Sequence, residues 1–154
     1  MGRIDDILIA TDTDEENLAI LEELFKRMLD KGIMINAEKT FLFQDEVTFM
    51  GYQVDAQGIS VKDFTIQKMR QAEIPKTLKE LRSFNGLAEW VRPFAKSNVF
   101  AESMAVLTGA LSRSRNFHLT EDEKNAFHRI KELELVKLVH PDWSQPFLLH
   151  TDAS

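Results

Sequence analysis

The order of periodicities along this chain predicts an α+β fold: a short antiparallel meander with one packed helix first, then a run of helices. Three observations carry that expectation. Runs of about four β-branched and aromatic residues, separated by polar turns, fill much of residues 33–61, after one helical stretch. From residue 62 the apolar spacing turns helical. The charge turns with it: residues 1–61 carry 5 basic and 13 acidic groups, residues 62–118 carry 10 and 5, and residues 119–154 carry 4 and 7. A net charge of −6 argues against a nucleic-acid binder until it is divided this way, and the middle segment is then the phosphate-seeking one.

A length of 154 residues fits one ordinary domain or two small ones, and 44% hydrophobic content is enough for a core. With no cysteine there is no disulfide framework, thiolate zinc site or cysteine nucleophile. No apolar run approaches the ~20 residues that span a bilayer, and no basic-then-apolar leader opens the chain. The expectation is a soluble, intracellular chain with no membrane partner, cytoplasm and nucleus not being distinguished.

Arg3-Ile4-Asp5-Asp6-Ile7-Leu8-Ile9 reads as a buried strand, and two adjacent carboxylates in a strand are unusual. Asp5 and Asp6 held on rigid backbone suit Mg²⁺, with a third carboxylate and substrate phosphates completing the shell; the alternative is a solvated turn. Next, Thr11 to Asp14 supply capping residues, and Leu18, Leu21, Phe25, Met28 and Leu29 recur at helical spacing, with Gly32 as the residue past the end. Glu15 and Glu16 then belong to a capped helix start, not a metal site. The runs 33–36, 40–43 and 47–50 predict three strands packed on that helix, and Gly51 beside Tyr52 suggests a close backbone approach. A turn at 55–58 leads into Ile59-Ser60-Val61.

Phe64, Ile66, Met69 and Ala72 predict a helix broken at Pro75, and Thr77 with Glu80 has the spacing of a capping box. On the helix that follows, Leu78, Leu81, Phe84, Leu87, Ala88 and Val91 form the apolar face, while Arg82, Gly86 and Trp90 recur every four residues. A basic residue, a glycine and an aromatic in line suit the backbone of a nucleic acid; the alternative is a helix–helix contact with a snorkelling arginine. Phe100, Met104, Leu107, Ala110 and Leu111 predict another helix, and residues 112–116 a basic loop. Thr120 and Glu123 open a last helix with Phe127, Ile130, Leu133 and Val136 on its buried side. His118, His128 and His140 share no ligand spacing. Residues 141–146 read as a linker, and Phe147 to His150 as the start of a strand.

In this order the pieces resemble the reverse transcriptase of gypsy-type retrotransposons and related retroviruses. Ile4-Asp5-Asp6-Ile7-Leu8-Ile9 is similar to the palm motif, Phe49-Met50-Gly51-Tyr52 to the primer grip, and Leu81-Arg82-Ser83-Phe84-Asn85-Gly86-Leu87-Ala88 to the thumb helix. His140-Pro141-Asp142 and Thr151-Asp152-Ala153-Ser154 resemble the end of the connection and the first strand of ribonuclease H. The resemblance implies palm with primer grip over 1–61, thumb over 62–118, connection over 119–146 and a ribonuclease H strand over 147–154. It implies that Asp5 and Asp6 are carboxylates of a two-metal polymerase centre using Mg²⁺ or Mn²⁺, and that Asp152 is one metal ligand of a ribonuclease H site. Phe49, Met50, Gly51 and Tyr52 would position the primer end. Lys79, Arg82, Gly86, Trp90, Arg92 and Lys96 would meet the duplex.

The chain departs from the pattern in having Arg3 where an aromatic residue is usual and Leu119 where tryptophan is common. The third polymerase carboxylate, the fingers and the other ribonuclease H acids are not in it. The expectation is therefore a segment of an RNA-directed DNA polymerase with ribonuclease H that catalyses neither reaction alone. No cofactor is expected in the segment itself, primer–template duplex is bound weakly, and a protein partner or homodimer is open. The alternative from a different class is a domesticated retroelement-derived module of a host gene that binds a protein.

Overall fold

The computed structural model describes residues 2–3, 6–96, 98–113 and 117–151, with residues 2 and 3 described by their backbone alone. The chain divides into two compact units, Met1–Ala56 and Gln57–Ser154.

In the first unit β1 (Gly2–Arg3) and β2 (Asp6–Ile7) pair antiparallel, Arg3 opposite Asp6. Asp6 and Ile7 are exposed, not buried as the apolar run suggested. Among the described residues nothing covers this two-residue strand, and the Asp6 carboxylate stays in water. Asp5 lies outside the described residues.

Helix α1 (Asp14–Asp30) starts and stops where local chemistry dictates. Thr13 is the N-cap, its hydroxyl accepting from the Glu16 N–H at 3.2 Å. At the other end Gly32 takes φ +66°, the Ile33 N–H donates to the Met28 carbonyl at 2.9 Å, and the Gly32 N–H donates to that of Leu29 at 3.0 Å, closing a Schellman motif. Glu22–Lys26 at 2.9 Å and Glu23–Arg27 at 2.6 Å brace the exposed face. The apolar stripe is not covered as expected: Leu21 is the helix's one buried residue, while Leu18, Phe25 and Leu29 are exposed, Leu29 to 80%.

Two of the three expected strands do not form. Over 33–36 and 40–43 the backbone is irregular, because Asn36 caps a 3₁₀ turn at Ala37–Lys39, its side chain accepting from the Glu38 N–H at 2.9 Å, and the Thr40 hydroxyl donates to the Asn36 carbonyl at 2.8 Å. Such local bonds satisfy the backbone before a ladder can. Phe43, at φ +51°, lies outside the strand region altogether. The third run does pair: β3 (Glu46–Phe49) lies antiparallel to β4 (Tyr52–Asp55), Phe49 opposite Tyr52. Met50 at φ +51° and Gly51 at φ +80° are the two central residues of the hairpin turn, the combination a type I′ turn requires. Met50 is thus a turn residue, not the strand residue the sequence predicted, and Gly51 is there for its backbone conformation.

The second unit opens with β5 (Gly58–Val61), then α2 (Asp63–Arg70), α3 (Leu78–Val91), a 3₁₀ turn at Arg92–Phe94, α4 (Val99–Ala110) and α5 (Glu121–Lys131). Its core is what the periodicity predicts: Met69 from α2, Leu81, Phe84, Ala88 and Val91 from α3, Leu107 and Ala110 from α4, and Phe127 and Ile130 from α5 are all buried. Phe84 and Phe127 stack with centroids 4.3 Å apart. Thr120 and Glu123 form the expected reciprocal capping box. At Thr77 only half of one forms: its hydroxyl accepts from the Glu80 N–H at 3.2 Å, but the Glu80 carboxylate takes the Lys76 N–H at 2.7 Å.

Helix α5 stops at Lys131, earlier than the periodicity suggested, and Leu133 and Val136 belong to an extended exit. Other partners explain the change. The Lys96 N–H donates to the Glu134 carbonyl at 3.3 Å, that of Val136 to Phe94 at 2.9 Å, and Ile59 and Leu138 exchange two bonds of 2.8 Å. Gly58, at φ +146°, makes this possible, since a Cβ there would run into the Leu138 carbonyl. Lys131 reaches back to the Ala72 carbonyl at 2.6 Å across the Phe127 ring. Residues 147–150 form no strand, contrary to the sequence expectation, because no strand pairs with them among the described residues; Phe147, Leu148 and Leu149 are exposed. No helix among the described residues is long and apolar enough to cross a membrane.

Candidate nucleic-acid interface

Of the expected carboxylates, only Asp6 is described, and it stands exposed on a two-residue strand. Asp5 and Asp152 lie outside the described residues. Among the described residues no three histidine, cysteine, aspartate or glutamate side chains converge.

The residues expected at the primer grip are brought together by the β3–β4 hairpin. Phe49 is buried as its anchor, Tyr52 is half-buried opposite it, and the Met50–Gly51 turn projects, Gly51 exposed. A rigid two-residue turn offers a defined backbone edge to whatever it meets.

The α3 residues are brought together by helical geometry. At 3.6 residues per turn Lys79, Arg82, Gly86 and Trp90 fall within an arc of about 80°, facing away from Leu81, Phe84 and Ala88. All four are exposed, Trp90 to 39%. A Cβ added at Gly86 would meet nothing within 4 Å, so no neighbour among the described residues needs a glycine there. A mid-helix glycine costs about 1 kcal/mol relative to alanine, and no close contact among the described residues offsets it.

The six cations and neighbours expected at this surface are not equivalent. Lys79 and Arg82 have no ion-pair partner among the described residues, whereas Arg92 lies 3.5 Å from Glu89 and Lys96 3.1 Å from Glu134. A carboxylate beside each of the latter opposes a phosphate. The Glu89–Arg92 spacing is legible in the sequence; the Lys96–Glu134 pair, 38 residues apart, is not. The nearest acid at the start of the helix, Glu80, is turned toward the Lys76 N–H, and that bond holds its carboxyl below the ordinary glutamate range.

Two further polar features were missed. Among the described residues Asn85, on the buried face of α3, finds a partner for neither its amide oxygen nor its nitrogen, and the buried Ser103 hydroxyl of α4 finds none either. The expected basic loop at 112–116 is described only through Arg113, which pairs with Glu123; its remainder, 114–116, lies outside the described residues.

Residues 4–54 match the family model described as reverse transcriptase (RNA-dependent DNA polymerase). Over 98% of its length the chain is 25% identical to the retrovirus-related Pol polyprotein from transposon gypsy of Drosophila melanogaster, and 29% identical to the transposon Tf2-3 polyprotein of Schizosaccharomyces pombe. It spans 16% and 11% of those relatives. Among solved structures, a foamy viral protease-reverse transcriptase in complex with double-stranded DNA superposes with a TM-score of 0.72 at 29% identity, covering 83% of this chain and 23% of that one. The foamy viral protease-reverse transcriptase in complex with an RNA/DNA hybrid gives 0.69 at 27% identity, covering 83% and 18%.

Proposed function

We propose that this chain, a reverse-transcriptase segment of retroelement Pol polyproteins, serves as the part that holds primer–template duplex, with the exposed face of α3 as its tracking surface. One observation carries the reading: Gly86 sits open to solvent between Arg82, which has no ion-pair partner among the described residues, and the exposed Trp90, and no described neighbour packs against it. A glycine there admits the close approach of an outside backbone. Arg82 and Lys79 offer charge to phosphates, and Trp90 a flat surface. That the foamy viral relatives were captured on double-stranded DNA and on RNA/DNA hybrid supports the ligand class. In this reading residues 1–61 belong to the palm, with the Met50–Gly51 turn as primer grip, 62–118 to the thumb, 119–146 to the connection and 147–154 to a ribonuclease H strand.

The whole polyprotein would be the RNA-directed DNA polymerase with ribonuclease H. There Asp5 and Asp6, with a third carboxylate from elsewhere, would hold the Mg²⁺ or Mn²⁺ that reverse transcriptases use, and Asp152 a metal of the nuclease. The segment by itself only binds.

The test is fluorescence anisotropy on labelled primer–template duplex at two salt concentrations. Binding in roughly the micromolar range is expected, falling steeply with salt as bound counterions are released. Lys79→Ala with Arg82→Ala should weaken it for all sequences alike and flatten the salt slope by about one unit per lost contact. Arg92→Ala and Lys96→Ala should do less, since Glu89 and Glu134 already oppose their charge. Gly86→Leu should weaken binding without changing the slope. Absence of binding at low salt overturns the reading. It would favour instead a protein partner or a second copy, for which the exposed Leu18, Phe25, Leu29, Met34 and Phe41 of the first unit leave apolar surface.

A further inference from the structure

We infer that this chain associates with a second copy of itself head to tail, helix α1 of one copy lying along the exposed face of α3 of the other. Such a contact covers the face that the proposed function gives to duplex. The two faces match in sign and in layout. At about 100° per residue Leu18, Phe25 and Leu29 of α1 fall within an arc of about 40°, and Asp14 and Glu15 flank Leu18 by about 40° and 60° on opposite sides. All five are exposed, and neither carboxylate has an ion-pair partner among the described residues. On α3 Lys79 and Arg82 are likewise without ion-pair partners there, and Gly86 and Trp90 complete the face. Asp14 to Phe25 and Lys79 to Trp90 are both 11 residues apart, about 16.5 Å of helix at 1.5 Å per residue. Laid parallel, the helices set acids beside cations in their first turns and Phe25 beside Trp90 further on, with Gly86 between to let the two backbones close.

Charge complementarity names the occupant. Residues 1–61 carry 13 acidic and 5 basic groups and residues 62–118 carry 5 and 10, so the partner that best fits each part is the other part of another copy. The charges of the wrong sign on each face are already engaged. Lys26 lies 2.9 Å from Glu22, Glu89 lies 3.5 Å from Arg92, and the Glu80 carboxylate accepts from the Lys76 N–H at 2.7 Å. The exposed stripe of α1 adds apolar surface that gains by being covered. Because α1 meets α3 and not another α1, the contact is heterologous: each copy keeps one face free, and association grows with concentration instead of stopping at a symmetric dimer. One helix face on another is small beside the ~1,200–2,000 Å² of a stable interface, so the association is weak, and salt weakens it further.

Sedimentation equilibrium of the full 154-residue chain over a concentration series, at low and at high salt, tests this. At low salt the average mass should rise with concentration above the 17.7 kDa of one chain, and at high salt it should fall back. Asp14→Lys/Glu15→Lys and Lys79→Glu/Arg82→Glu should each weaken association at least about tenfold, because like charges then face each other. An equimolar mixture of the two variants should restore it, since each swapped face finds an opposite one. Lysine in the first turn of α1 opposes the helix dipole, so Leu18→Ser/Leu29→Ser is the second variant. It keeps every charge and should weaken association at all salt concentrations, with circular dichroism reporting unchanged helix content. Added duplex should return the assemblies to single chains. A mass that stays at one chain throughout, a mass that neither swap lowers, or a mixture that does not reassociate overturns the inference. A chain that associates in this way yet binds no duplex leaves it standing and refutes the proposed function; a monomer that binds duplex does the reverse.

Discussion

Asn85→Leu should make the second unit more stable, which is not the usual direction for a change in a core. Asn85 is 7% exposed on the packed face of α3, one residue from the Phe84 ring that stacks on Phe127. Neither end of its amide has a hydrogen-bond partner among the described residues. A buried polar group left unsatisfied costs about 1–3 kcal/mol, and burying a leucine side chain instead contributes roughly 1.5–3 kcal/mol. Against this, leucine is the larger residue, and overpacking costs typically ~1–3 kcal/mol. The balance is a gain of about 1–3 kcal/mol. For a unit this size each kcal/mol moves the melting temperature by roughly 4–8 °C, so a rise of about 4–24 °C is expected. Both tryptophans, Trp90 and Trp143, lie in this unit, so tryptophan fluorescence follows its melting without interference from residues 1–56. Asn85→Ala separates the terms, because it removes the amide without adding bulk and should lie near the unchanged chain. A loss of stability in both variants would refute the reasoning and mean that the amide has a partner, such as an ordered water.

Other substitutions test other parts of the fold. Gly58→Ala drives a methyl group into the Leu138 carbonyl, so it should release the exit strand from β5 and cost at least about 2 kcal/mol, read as faster hydrogen exchange at the Ile59 and Leu138 amides. At the start of α5 the Arg113 guanidinium, helped by the Thr120 N–H, holds the Glu123 carboxyl below its ordinary value of 4.5. A depressed carboxyl stabilises the fold above its unfolded value and loses that contribution as pH falls through the folded one, so Glu123→Gln should cost roughly 1 kcal/mol at pH 7, and the difference should shrink below about pH 4.5. A difference equal at pH 7 and pH 3 would contradict that assignment. Asp6→Asn should change stability by no more than about 0.5 kcal/mol, because the carboxylate is exposed; a large loss in a thermal melt would reveal a structural partner.

How much of this was legible in the sequence depends on where each residue's partners lie. The helix ends were legible, because a cap is made within a few residues: Thr13, Gly32, Thr77 and Thr120 all act where their spacing put them. The helical core from Met69 to Ile130 was legible too, since its apolar residues find one another inside one unit. The strands at 33–36, 40–43 and 147–150 were not, and the reason is common to all three. A β-rich run becomes a strand only against a neighbour, and among the described residues these have none. Their side chains show it, Met34 being 94% exposed. The exposed stripe of α1 follows the same rule, since an amphipathic pattern says that a face wants covering and not what covers it.

The candidate site divides along the same line. One helix displays Lys79, Arg82, Gly86 and Trp90 by its own periodicity, so their common face could be read from spacing alone. What spacing could not supply was the state of each group. Only the fold shows that Gly86 has no packing neighbour among the described residues and lies open to solvent. Only the fold brings Glu134 to Lys96, through the exit strand that Gly58 admits beside Ile59, and so ranks that lysine below Lys79 and Arg82 as a phosphate contact. Gly58 and the tracking face are thereby linked. If the exit strand is released by Gly58→Ala, Lys96 loses its carboxylate and becomes available to phosphate. The affinity for duplex should then hold or rise slightly and its salt slope steepen by up to about one unit, even as the fold is destabilised. A flatter slope in that variant would show that the strand supports the α3 face itself and does more than neutralise one of its cations.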